Sequence, residues 1–159
     1  MTSTTADIPG EAGQSQLSPT LKCHNQRDCP DDIHFEETMG KLTTHVLDTA
    51  NGQPGSGINI ALYRVEGNQL THITGAVTND DGRTDAPLLE GETLESGKYQ
   101  LVFDTAAYFR KRGTPLDDVP FLDDVVIRFG ISDSSQHYHV PLLVSPYSFS
   151  TYRAVEPGK

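Results

Sequence analysis

The segment HYHVPLLVSPYSFSTYR, residues 137–153, decides the fold class. Side chains alternate between the two faces of an extended strand. One face therefore carries an apolar stripe made of Tyr138, Val140, Leu142 and Val144. The other face carries His137, His139, Pro141 and Leu143. A corner at Ser145-Pro146 predicts a second strand, with the polar side chains Ser148, Ser150 and Tyr152 on one of its faces. The segment thus predicts a hairpin with one buried face and one polar face.

The chain before this hairpin repeats the pattern of short apolar runs. Turn signals such as Asn51-Gly52, Asp81-Gly82 and Ser96-Gly97 separate the runs. Many short strands at this spacing are typical of a β-sandwich or barrel. We predict eight mostly antiparallel strands, at residues 41–48, 57–65, 69–78, 84–88, 97–103, 124–131, 136–145 and 147–154. The fold class is therefore all-β.

One short helix is predicted at residues 104–111. Asp104 can cap its first turn, and Gly113 can close it. Residues 113–124 carry two prolines and four aspartates, which excludes a central strand. We therefore predict a surface loop there.

The 159 residues are enough for one domain, preceded by an extension. Residues 1–40 are rich in polar and acidic residues without a hydrophobic period, which predicts a flexible acidic N-terminal extension. The net charge of -10 argues against nucleic acid or an anionic membrane as a partner. No apolar run approaches the roughly 20 residues of a membrane-spanning helix. The first residues lack a secretory signal, so we expect a cytoplasmic location.

Cys23 and Cys29, with His24 and His34 nearby, could be drawn as a metal site. The spacing CHNQRDC fits poorly to the C-x2-4-C pairs of structural zinc sites. Free thiols are the simpler interpretation. We therefore predict no metal and no cofactor.

A second histidine lies in the first predicted strand, LTTHVLD, where His45 shares a face with Thr43 and Leu47. A single strand histidine is more often structural than catalytic, and Arg83 after an Asp-Asp-Gly turn is more often solvated. The joint occurrence of these residues carries more weight than any one of them.

Three blocks occur in one order: KLTTHVLDTANGQPG at 41–55, NDDGRTDAPLL at 79–89, and the terminal hairpin. Together they resemble the 5-hydroxyisourate hydrolases, the transthyretin-like enzymes of urate breakdown, over residues 41–153. The resemblance implies a transthyretin-like (prealbumin-like) eight-stranded antiparallel sandwich with one short helix. It makes residues 41–159 a hydrolase domain. It further implies a homotetramer with active sites between subunits.

The resemblance also implies site residues. The family's catalytic set falls on His45, Arg83 and His139, of which His45 and Arg83 also bind substrate. Tyr152 and Arg153 match the start of the family's terminal Tyr-Arg-Gly-Ser, and Ser150 on the polar face is a further substrate-binding candidate. This chain departs from the pattern after Arg153, because Ala154-Val155 replaces Gly-Ser and Glu156-Pro157-Gly158-Lys159 follows.

The implied reaction opens the cyclic amide of 5-hydroxyisourate to 2-oxo-4-hydroxy-4-carboxy-5-ureidoimidazoline. One imidazole can take a proton from water and the other can orient that water or protonate the leaving nitrogen. The guanidinium can bind the anionic ring or the oxyanion. Two alternatives stay open: a transthyretin-style carrier of a small ligand, and a non-catalytic β-sandwich module whose acidic arm binds a basic partner.

Overall fold

A computed structural model describes residues 39–154. The predictions made for residues 1–38, including Cys23 and Cys29, and for residues 155–159 lie outside this range. The strands and the α-helix are β1 (Lys41–Asp48), β2 (Gln53–Pro54), β3 (Asn59–Glu66), β4 (Gln69–Val77), β5 (Leu89–Glu90), β6 (Gly97–Asp104), α1 (Thr105–Lys111), β7 (Asp124–Ile131), β8 (Tyr138–Val144) and β9 (Phe149–Thr151). A 3-10 turn at Gly91–Thr93 follows β5.

The strands form two sheets around one apolar core. One sheet has the order β2-β1-β8-β9, with β5 also paired to β1, and the other has the order β4-β3-β6-β7. The inner faces contribute fully buried side chains, among them Leu42, Leu62, Leu101, Phe103 and Leu142. The predicted apolar stripe of the terminal hairpin lies in this core. The all-β sandwich with one short helix is confirmed.

One pairing differs from the antiparallel arrangement predicted for the sandwich. Strands β1 and β8 are parallel, with Leu42 opposite Tyr138 and Asp48 opposite Val144. They can be parallel because the whole second sheet lies between them in the sequence, which supplies the long connection that parallel neighbours need.

The strand predicted at residues 84–88 is not formed. Between β4 and β5 the only strand-like pairing is the isolated bridge of Arg83 to His45, and β5 itself is two residues long. Pro87 has no N–H to donate to a ladder, and the polar residues before it suit a turn. Two short strands that alternation does not reveal, β2 and β5, are present in addition to the other seven. The described residues thus form nine strands, whereas eight were predicted.

The helix prediction is confirmed. Helix α1 begins after Asp104, whose carboxylate accepts from the Ala107 amide at 3.4 Å. Residues 113–123 contain neither helix nor strand, as predicted for the loop. Among the described residues, no helix is long and apolar enough to cross a membrane.

Candidate active site

The parallel pairing of β1 and β8 places the two candidate histidines on one face of the sheet. Thr43 lies opposite His139, and His45 lies opposite Pro141. Residues directly opposite each other on neighbouring strands point to the same face. Thr43 and His45 are half-buried, whereas His139 is only 8% exposed.

A tight turn at residues 79–83 carries the arginine to this face. The side-chain oxygen of Asn79 accepts from the amides of Asp81 and Arg83 at 3.0 and 3.1 Å. The backbone of the same turn is tied to β1, since the Val46 amide donates to the Gly82 carbonyl at 2.8 Å. Arg83 therefore forms an isolated antiparallel bridge with His45.

His45 is held in one tautomer by a backbone carbonyl. Its Nε2 lies 2.9 Å from the carbonyl oxygen of Asp81. Because a carbonyl only accepts, Nε2 carries the proton and Nδ1 of the neutral ring is unprotonated. Burial lowers the pKa of His45 below its ordinary value of 6.5, and the positive charge of Arg83 lowers it further, while the Asp81 carbonyl and carboxylate act in the opposite direction. His45 is thus a neutral imidazole near pH 7.

His139 is held by different partners. Its Nδ1 lies 2.8 Å from the hydroxyl oxygen of Thr43. Its backbone carbonyl accepts from the amide of Ala154 at 3.1 Å, which forms an isolated bridge after the end of β9. The backbone of this candidate catalytic histidine is therefore bonded to the residue that directly follows Arg153.

Two small clefts meet at Thr43. One, of about 140 Å³, is lined by Arg83 and Asp85 together with Thr43. The other, of about 40 Å³, is lined by Lys41, His137, His139 and again Thr43. Thr43 is thus shared by the cleft that Arg83 lines and the cleft that His139 lines. Lys41 and Arg83 can supply positive charge to a bound anion.

The predicted substrate-binding residues of the last strand divide between two places. Ser150 lies opposite Leu143, on the face that carries the histidines. Arg153 instead places its guanidinium over the ring of Tyr138 at 4.5 Å and donates to the Gln136 side chain at 2.8 Å. Tyr152 lines a cleft of about 190 Å³ together with Tyr138 and Thr151.

Within one chain, Arg153 is therefore not brought together with His45 and His139. Strict alternation predicted Tyr152 on the face of Ser148 and Ser150. Strand β9 ends at Thr151, but the bridge between His139 and Ala154 continues its register and places Tyr152 opposite Pro141. The roles of Tyr152, Arg153 and Ser150 in substrate binding stay predictions.

Sequence reasoning assigned no role to Thr43 and Asn79. Alternation already placed Thr43 on the face of His45, and Asn79 begins the Asn-Asp-Asp-Gly turn, so both signals were present in the sequence. Among residues 39–154 there is no group of three or more His, Cys, Asp or Glu that could hold a metal ion. The side chains at the site suit proton transfer and anion binding.

Known proteins are similar to this chain in sequence and in fold. It is 60% identical over 117 residues to 5-hydroxyisourate hydrolase of Pseudomonas aeruginosa, a match that covers 74% of this chain and 93% of the relative. The structure of Klebsiella pneumoniae 5-hydroxyisourate hydrolase matches with a TM-score of 0.54 and 33% identity, over 72% of this chain and 93% of the other. An (S)-allantoin synthase structure matches with a TM-score of 0.70 and 46% identity, over 73% of this chain and 44% of its own length.

A family profile matches residues 42–154, which include nearly all of the described residues and all three site candidates, His45, Arg83 and His139. The fold agrees with that match, since the two sheets and the one α-helix of residues 39–154 follow the predicted transthyretin-like arrangement. The chain belongs to the HIUase/Transthyretin family.

Proposed function

We propose that this protein hydrolyses 5-hydroxyisourate, opening its cyclic amide to 2-oxo-4-hydroxy-4-carboxy-5-ureidoimidazoline. The observation that carries the proposal is the meeting of His45, Arg83 and His139 on one sheet face, through the β1–β8 register and the His45–Arg83 bridge. Similarity to the Pseudomonas aeruginosa hydrolase supplies the identity of the substrate.

The geometry suggests how water attacks the amide carbonyl. His45 is neutral and has an unprotonated Nδ1, so it suits the role of general base toward water. Arg83 stays charged, and its planar fork binds the anionic ring and the oxyanion that develops on the carbonyl. His139 orients the water or protonates the leaving nitrogen. The proposal requires no metal and no cofactor.

The assay generates 5-hydroxyisourate from urate in situ and follows its disappearance by absorbance, with spontaneous decay as the control. We expect His45→Asn and His139→Asn to lower kcat/KM by about 100-fold or more, because each removes a proton-transfer group. His72→Asn is the matched control, since His72 lies on edge strand β4 and packs against the Tyr63 ring at 5.4 Å. Decay no faster than the spontaneous rate would reject the hydrolase and favour a carrier.

In this proposal the protein acts as a homotetramer, with active sites between subunits and with Tyr152, Arg153 and Ser150 contributing to substrate binding there. Support comes from the histidine-bearing face, where Leu47 and Leu143 are only half-buried in the single chain, and from β7 and β9, which end their sheets as open edges. Turnover by monomers at high dilution would contradict this assembly. The cytoplasmic location and the role of the acidic extension stay predictions.

A further inference from the structure

Thr43 lies between the cleft that holds Arg83 and the cleft that holds His139. We propose that Thr43 is a positioning residue for His139 in the hydrolysis, holding the imidazole ring in its working orientation through every protonation state of the reaction. This inference rests on the proposed function and adds a residue to it.

The contact comes from the register of the two strands. Thr43 and His139 are directly opposite each other in the parallel ladder, and the hydroxyl oxygen lies 2.8 Å from Nδ1. The branched Cβ of threonine leaves few side-chain rotamers on a strand, so its hydroxyl is held in a narrow range of directions. A ring flip of His139 would bring a carbon to the position of Nδ1 and lose the hydrogen bond, so Thr43 distinguishes the two ring orientations.

The chemistry of a hydroxyl differs from that of a carbonyl. At His45 the Asp81 carbonyl can only accept, which fixes the proton of the neutral ring on Nε2. The Thr43 hydroxyl can donate to an unprotonated Nδ1 and can equally accept from a protonated Nδ1. It therefore holds the His139 ring without fixing its tautomer. A histidine that gains and loses a proton within one catalytic cycle needs this kind of partner.

The first test removes the hydroxyl while keeping the shape of the side chain. We expect Thr43→Val to lower kcat about tenfold and to change KM by less than about twofold, because the lost hydrogen bond orients a reacting group more than it binds substrate. Thr49→Val is the matched control. The Thr49 hydroxyl also bonds across to β8, to the Val144 carbonyl at 3.1 Å, but it does not contact the histidines. We expect Thr49→Val to keep the kcat of the wild type.

A second pair of variants separates the hydroxyl from the packing. Thr43→Ser keeps the hydroxyl and Thr43→Ala lacks it, and both lack the methyl group. We expect Thr43→Ser to keep at least about half of the wild-type kcat and Thr43→Ala to match Thr43→Val. Equal activity in the serine and alanine variants would overturn the proposal, also if Thr43→Val proves too unstable to assay.

A spectroscopic measurement is independent of turnover. The 15N shift of His139 Nδ1 reports hydrogen bonding and tautomer, so it should move in Thr43→Val and Thr43→Ala and stay near the wild-type value in Thr43→Ser and Thr49→Val. An unchanged shift in all four variants would refute the contact. A wild-type protein that fails to hydrolyse 5-hydroxyisourate, yet shows these shifts, would refute the proposed reaction and leave the Thr43–His139 contact standing.

Discussion

At the scale of single residues, the surroundings of His45 favour its neutral form, which can accept a proton. The pKa of His45 is held below its ordinary value by burial first and by Arg83 second. The neutral base form is therefore the major form at pH 7 and persists on acidification past the ordinary value of 6.5. A fall in kcat/KM at low pH, if His45 is the base, should accordingly begin below that value.

Arg83→Gln tests the electrostatic part of this arrangement. Removing the positive charge takes away one of the two causes that lower the pKa of His45, so we expect the pKa to rise toward 6.5. An NMR titration of the His45 ring measures the shift directly, even in a variant with little activity. Arg83→Lys is the control, because it keeps the charge and should keep the pKa of His45 low. Identical titrations in the two variants would show that Arg83 does not act on His45 through its charge.

At the scale of elements, the backbone of the turn before Arg83 packs closely against β1. Gly82 has φ +75, a conformation that side-chain-bearing residues rarely adopt, and a Cβ there would collide with the Val46 carbonyl oxygen. The Gly82 carbonyl also accepts from the Val46 amide. The position of Arg83 beside His45 therefore depends on the absence of a side chain one residue earlier.

Gly82→Ala is expected to lower both stability and activity. The backbone strain alone costs about 1–2 kcal/mol, and relief of the collision should displace Arg83 from His45. Gly113→Ala is the matched control, since Gly113 has φ +78 but open space where a Cβ would lie. Thermal unfolding should show the strain cost in both variants and a further loss in Gly82→Ala from the collision, whereas only Gly82→Ala should reduce kcat/KM for 5-hydroxyisourate. Equal activity in the two variants would contradict a link between the turn and the site.

The elements also show how far the sequence alone was informative. Alternation predicted the bounds of β1, β6 and β7 closely. It also placed Thr43, His45 and His139 on the strand faces opposite to the apolar stripes, where the structure has them. It could not predict that β1 and β8 are parallel neighbours, because local alternation contains no information about which strands pair. The His45–Arg83 bridge and the Thr43–His139 bond follow from that pairing and from the turn at residues 79–83, so their geometry required the structure.

At the scale of the whole molecule, a buried carboxylate ties the two sheets together. Asp48 ends β1 in one sheet and accepts at 2.8 Å from the hydroxyl of Tyr108, which lies in the helix that follows β6 of the other sheet. Burial alone would raise the pKa of Asp48, but hydrogen bonds from Asn51, Tyr108 and the Ala50 amide outweigh it and lower the pKa. Burial and the same carboxylate raise the pKa of Tyr108 to about 12, so the phenol stays a donor at physiological pH.

Tyr108→Phe should therefore destabilise the fold in a pH-dependent way. Loss of a hydrogen bond to a charged group costs about 1.5–3 kcal/mol near pH 7. The folded pKa of Asp48 is lowered, so the stability it contributes is present above the unfolded pKa and is lost as the pH falls through the folded value. Urea unfolding of the variant and the wild type should give free energies that converge below about pH 4.

Tyr147→Phe is the control for this comparison, because Tyr147 is exposed. It should leave the free energy of unfolding unchanged at every pH. A Tyr108→Phe deficit that is constant from about pH 3 to about pH 7 would show that packing, and not the charged hydrogen bond, is what the hydroxyl provides.

The parallel β1–β8 pairing also determines when, during synthesis of the chain, the sheet face that carries His45 and His139 can form. Thr43 and His139 are 96 positions apart, and the entire β4-β3-β6-β7 sheet is translated between them. A nascent chain can form that second sheet while β1 is not yet paired with β8, because β8 has not been synthesised. Any product that terminates before residue 138 lacks β8 altogether and exposes the edge of β1. The strands of the second sheet are thus synthesised before His139, which is added with β8 near the end of the described residues.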